Sequence, residues 1–220
     1  MRHRPAVDVV AALVILGSAA GLYFFFDGYP PAPDPRPHRA SGWAVAQEAV
    51  GQLKPGGQLA VITRDTEAFR HPESAWQFRS FVNALRDARV EIATTQALQV
   101  DPLKPLEVPA GDFFELIRRG TAGSVIVSFM GPPLLTADQR ARLGTVRPRI
   151  IAFCPGALPQ RLDLRVLFEA GLLHAAVISR RAGARASAAP KGMQGWFDRH
   201  YQLVTADNVG RLYEPVAENR

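Results

Sequence analysis

Five short apolar runs recur along the chain at a spacing that leaves little choice of architecture. They are residues 58–63 (QLAVIT), 90–95 (VEIATT), 124–130 (SVIVSFM), 149–153 (RIIAF) and 175–179 (AAVIS), beginning 25 to 34 residues apart. Between them, apolar residues fall at helical spacing, as in Phe78, Phe81, Val82 and Leu85 behind Pro72. Strand-length runs alternating with helical stretches describe βα units. Near-continuous apolar character means that both faces of the sheet are covered. The expected fold is therefore α/β: a doubly wound, mostly parallel sheet of five to six strands, ordered 2-1-3-4-5 by right-handed crossovers. Trp196, Phe197 and Tyr201 precede a last strand at 201–205.

Local signals place the helix ends. Ser41 can cap a first helix carrying Trp43, Ala46, Val50 and Leu53. Asp112 with Glu115, and Thr136 with Gln139, have capping-box spacing, and Gly120 supplies a stop. A helix is expected over 164–173, and residues 182–191, small, basic and turn-rich, read as a loop.

The N-terminus carries a different kind of pattern. Arg2 and Arg4 precede an uncharged apolar run from 9 to 26, 18 residues long. That is about the minimum for a helix crossing a bilayer. Basic residues before the run and Asp27 after it orient an uncleaved anchor with its N-terminus in the cytoplasm and the rest of the chain exported. A cleaved signal peptide is the competing reading, since Ser18 and Ala20 are small residues at suitable spacing. The expected organisation is an anchor or signal over 1–27, a Pro-rich spacer over 28–40 with an extended backbone, and one exported domain over 41–220. The expected location is the inner membrane, single-pass, with the domain on its periplasmic side.

Composition narrows the chemistry. Of 26 basic residues only Lys54, Lys104 and Lys191 are lysines, and the formal charge is +6. Cys154 is the only cysteine, so the chain forms no internal disulfide and no cysteine-based metal cluster. The sequence has no GxGxxG after the first strand, no GxxxxGK[ST] and no GxSxG. No cofactor and no metal is expected. The basic loop around Arg180, Arg181, Arg185 and Lys191 is small, and an exported location opposes a nucleic-acid role.

In an open parallel sheet, ligands bind beyond the carboxyl ends of the strands, where the strand order reverses. Here that edge collects Arg64, Asp65 and Thr66 after strand 1, Ser128 and Gly131 after strand 3, and Cys154 after strand 4. These are the candidate ligand-binding residues. Arg64 would grip an anion and Asp65 a hydroxyl, although the two could instead pair with one another. Cys154 could act as a nucleophile only with a depressed thiol pKa and a partnered base, and no spacing links His71 or His174 to it, so a buried, inert cysteine is expected.

The βα units over 57–181, opened by QLAVITRD, resemble one lobe of a type I periplasmic sugar-binding protein. The resemblance implies binding of a small solute rather than catalysis. Such receptors hold solute between two lobes, and this chain has room for one. The reading is a membrane-anchored binding or scaffold module, with a small polar or anionic ligand or a protein as partner. The alternative is an anchored hydrolase or transferase using Asp65, with or without Cys154, at the sheet edge.

Overall fold

The computed structural model describes residues 5–26, 33–65, 71–99, 108–180 and 190–213. The chain divides into two compact units, Met1–Asp34 and Pro35–Arg220. The first holds a single helix, α1 (Pro5–Phe26), which exposes its side chains from Val9 to Tyr23. The expected N-terminal helix thus forms. Among the described residues, however, no helix is long and apolar enough to cross a membrane. The side chains of Phe24 and Phe26, which complete the expected span, lie outside the described set.

The second unit begins earlier than the spacer reading placed it. Helix α2 (Pro35–Gln52) takes up the last residues of that stretch and buries Pro37 and Ala40. Prolines there do not break the helix. Pro35 and Pro37 occupy the first turn, where the missing N–H groups would have no partner within the helix anyway. Ser41 is consequently not a cap. It lies inside α2, where its Oγ donates to His38 O at 2.9 Å and accepts from Gln77 Nε2 at 2.8 Å.

Six strands form one sheet: β1 (Leu59–Arg64), β2 (Ile92–Leu98), β3 (Val125–Ser128), β4 (Arg149–Cys154), β5 (Ala175–Ser179) and β6 (Tyr201–Val204). Their order is β2-β1-β3-β4-β5-β6, parallel throughout except for β6, which runs antiparallel to β5. The predicted order is present, extended by the last strand. β1, β3, β4 and β5 are buried, as their apolar runs require. β2 is not. It lies at an edge and exposes Ala93, Thr94, Thr95 and Ala97.

Helices cover the two faces separately. α2, α3 (Pro72–Asp87) and α8 (Gly192–His200) close over Val61, Val127, Ile151 and Val177. α4 (Ala110–Arg119), α6 (Leu158–Arg161), α7 (Leu164–Glu169) and a 3-10 turn (Val209–Leu212) close over Ile62, Ile126, Ile150 and Ile178. Consecutive strand residues thus feed opposite cores. α5 (Ala137–Ala141) carries the capping box of Thr136 and Gln139 in full. The one proposed at Asp112 does not form: Pro109 precedes α4, and Glu115 instead pairs with Arg118 at 2.8 Å. α7 stops at Glu169 because Gly171 takes a φ of +62°.

His174 joins β4 to β5 at their starts. Its N–H donates to Ile150 O at 2.8 Å and its Nδ1 accepts from Ile150 N–H at 3.0 Å. The second bond requires an unprotonated Nδ1. Burial, and then the charge of Arg149, push the imidazole down to about 4. The folded state therefore binds protons less readily than the unfolded chain. The stabilisation is complete above the unfolded pKa near 6.5 and is lost as pH falls toward 4. Allowing for partial exposure, about 1–2 kcal/mol is at stake. Between pH 7.5 and pH 4.5, the thermal midpoint should drop by about 2–8 °C more in the native chain than in His174→Gln, whose amide oxygen accepts the same bond at any pH.

Candidate functional site

The carboxyl edge of the sheet is also where several elements outside the parallel series begin or end. α2 precedes β1, and its first turn sits at this edge. β6 runs antiparallel, and its first residue, Tyr201, lies opposite Ser179 at the end of β5. Beside Arg180, which follows β5 at the strand ends, the edge therefore collects residues that the strand-end reading did not include: His38, His71, Glu73 and Tyr201.

The structure divides the expected residues into an open part and a closed part. Arg64 is the last residue of β1 and is half-buried. Its Nε is shielded from solvent and has no hydrogen-bond partner among the described residues. Beside it, His71 opens α3 with its Nδ1 3.1 Å from Ser74 Oγ. Burial first, and then the charge of Arg64, lower the His71 pKa, while Glu73 opposes the shift. At neutral pH, His71 is a neutral ring beside a fixed positive charge. Asp65 follows Arg64, is half-buried, and donates its N–H to Leu98 O at 2.8 Å. Thr66 lies outside the described residues.

The closed part is the end of β3 and β4. Ser128 is fully buried, and its Oγ accepts from Met130 N–H at 3.2 Å, a local turn that occupies the hydroxyl. The chain from Phe129 to Pro133 then folds inward and is buried throughout. Gly131 makes this course feasible. Its φ is +96°, and a Cβ there would stand 3.1 Å from Leu158 Cδ2 on α6. Cys154 is fully buried at the end of β4, and burial pushes its thiol up to about 12. Ser128 and Cys154 are thus buried beneath a plug made by the β3–α5 loop, Gly131 included, and Leu158. Arg64 and Asp65 lie at the end of β1 and are half-buried.

A second group gathers about the start of α2 and the end of β5. His38 Nε2 approaches Glu73 Oε1 at 4.0 Å, and its ring lies 6.2 Å from that of Trp76. Tyr201 hydrogen-bonds Ser41; burial raises its phenol pKa, which Ser41 partly offsets. Arg180 Nε donates to Tyr201 O at 2.9 Å. Arg36 stacks over Trp196 at 4.3 Å from the ring centre. The sequence signal for this group was the pairing of an early helix with a late antiparallel strand, which apolar periodicity does not report. Among the described residues, no group of three or more His, Cys, Asp or Glu could hold a metal ion.

No protein-family model matches the chain, and no curated protein matches it in sequence. Solved structures match it in fold. The sugar-binding protein of a sugar ABC transporter from Bacillus halodurans superposes with a TM-score of 0.50 at 14% identity, over 80% of this chain and 64% of its own. A protein assigned as a LacI transcriptional regulator from Bacteroides fragilis gives a TM-score of 0.50 at 12% identity, over 79% of this chain and 61% of its own. The chain thus spans about three-fifths of the length of the proteins it resembles. At this identity the likeness is one of fold alone.

The plug makes a direct statement about the thiol. A small maleimide should label Cys154 slowly in the native chain and rapidly after denaturation. Fast native labelling would mean that the end of β4 is open.

Proposed function

We propose that the chain is a membrane-anchored, exported binding module that recognises a small anionic or hydroxyl-rich ligand at the carboxyl end of β1, without catalysing a reaction on it. The observation that carries the binding part is the Nε of Arg64, buried and, among the described residues, without a hydrogen-bond partner, with the neutral ring of His71 beside it. A shielded guanidinium donor with no acceptor leaves a favourable interaction unmade. A carboxylate, phosphate or polyol oxygen would satisfy it. α3 begins at the same place, and its N-terminal N–H groups add positive potential. The fold likeness to sugar-binding lobes is consistent with this reading.

The non-catalytic part rests on Cys154. Its thiol is raised rather than depressed and is sealed from solvent, so it is not poised to serve as a nucleophile alongside Asp65. The anchoring part rests on the sequence alone, on the uncharged run from 9 to 26 behind Arg2 and Arg4.

Two measurements test the two parts separately. Protease added to spheroplasts should digest the domain while α1 stays in the membrane pellet. A protected domain, or a soluble form lacking the first residues, would remove the exported anchor. For binding, the purified full chain is titrated with D-arabinose, D-ribose, D-glucose and inorganic phosphate by isothermal calorimetry. At least one probe should bind, and Arg64→Gln and Asp65→Asn should each weaken it about ten- to a hundredfold with little change in thermal midpoint. Binding that survives both substitutions would put the site elsewhere.

A further inference from the structure

β2 is a terminal strand of the sheet, and among the described residues nothing pairs with its outer side. Its backbone polarity follows from one hydrogen bond. Leu98 O accepts from Asp65 N–H, so Leu98 turns its backbone groups toward β1. Alternation along the strand sends those of Gln96 and Thr94 the same way. Thr95 and Ala97 then direct N–H and C=O to the open side. The register with β1 is in step from Thr94 to Leu98, and the one irregularity falls before it, around Ala93.

Open edges invite pairing with another chain, and proteins ordinarily blunt them with charge, proline or a covering segment. From Ile92 to Leu98 this strand has no charged residue and no proline, in a chain of net charge +6. Its exposed side chains are small: Ala93, Thr94, Thr95 and Ala97. The sequence is also nearly symmetric about its middle. Around Thr95, Thr94 balances Gln96, Ala93 balances Ala97, and Ile92 balances Leu98.

We propose that β2 is a self-association edge, at which two copies of the chain pair antiparallel about a two-fold axis through Thr95 and join their sheets. In that arrangement Thr95 faces Thr95 of the second copy, and each N–H donates to the other's C=O. Ala97 faces Ala93 of the second copy on either side, and the aliphatic ends Ile92 and Leu98 meet. An isologous contact needs a surface complementary to itself. A neutral, near-palindromic strand with its free donors and acceptors centred on one residue meets that need, and a basic or acidic one would not. Seven residues make a small interface, so the dimer is weak and depends on concentration. This inference is independent of the ligand reading.

The experiment is sedimentation equilibrium of the purified full chain in density-matched detergent over a range of concentrations, with thermal unfolding in parallel. The native chain should show a reversible monomer–dimer equilibrium. Thr95→Pro deletes an outward N–H and spares the ladder to β1, so association should weaken about tenfold or more while the midpoint holds. Thr95→Lys, which sets like charges facing each other on the axis, should do the same and decides the matter if the proline variant misfolds. Thr94→Pro, which removes a bond to β1, should instead lower the midpoint. A chain that is monomeric at every concentration, or that dimerises equally well with lysine at position 95, overturns the proposal.

Discussion

One close approach sets the geometry of the domain's helical layer. At Gly42, α2 comes so near α3 that a Cβ would stand 2.0 Å from the carbonyl oxygen of Gln77. No side chain fits there. The amide of Gln77 reaches back across the same contact to Ser41 Oγ, so the two helices are joined by a buried hydrogen bond where they touch. That contact brings the first turns of α2 and α3 together at the carboxyl edge of the sheet. His38, Glu73 and His71 come together because of it, and His71 lies beside Arg64. The candidate site thus depends on a glycine that contributes nothing to it chemically.

The two halves of the carboxyl edge are built differently. At β3 and β4 the loop turns inward through Gly131 and Leu158 closes over it, so the polar groups there serve the loop's own turn. At β1 the following helix begins only at Pro72, and Arg64 keeps a donor unused. Topology makes the strand ends converge; local backbone conformation decides which of them a solute can reach.

Much of the fold was legible because burial writes itself into sequence. The runs that became β1, β3, β4 and β5 are apolar on both faces, and the structure buries both. Thr136 and Gln139 formed the box that their spacing promised. The start of α2 was not legible, because Pro35 and Pro37 read as extended chain unless one already knows that they occupy a first turn. β2 was misread as covered: its residues tolerate an edge as well as a core. Arg64 and Asp65 were legible as an edge pair. Cys154 was legible as a buried thiol, and the structure buries it. That Ser128 would be roofed over was not, since a positive φ at Gly131 leaves no trace in apolar periodicity.

The domain's first helix is completed by its last. α2 packs against α8, and Arg36 near its start lies over the indole of Trp196. Synthesis runs in one direction, so α2 and α3 exist long before α8 does. Until α8 is made, the side of α2 that carries Trp43 and Ala44 has no cover from it, and the nascent domain presents an apolar strip to whatever is nearby. Cooperative closure waits for the carboxyl-terminal elements. Ordering in time, as well as in space, is therefore built into the join between the two ends of this domain.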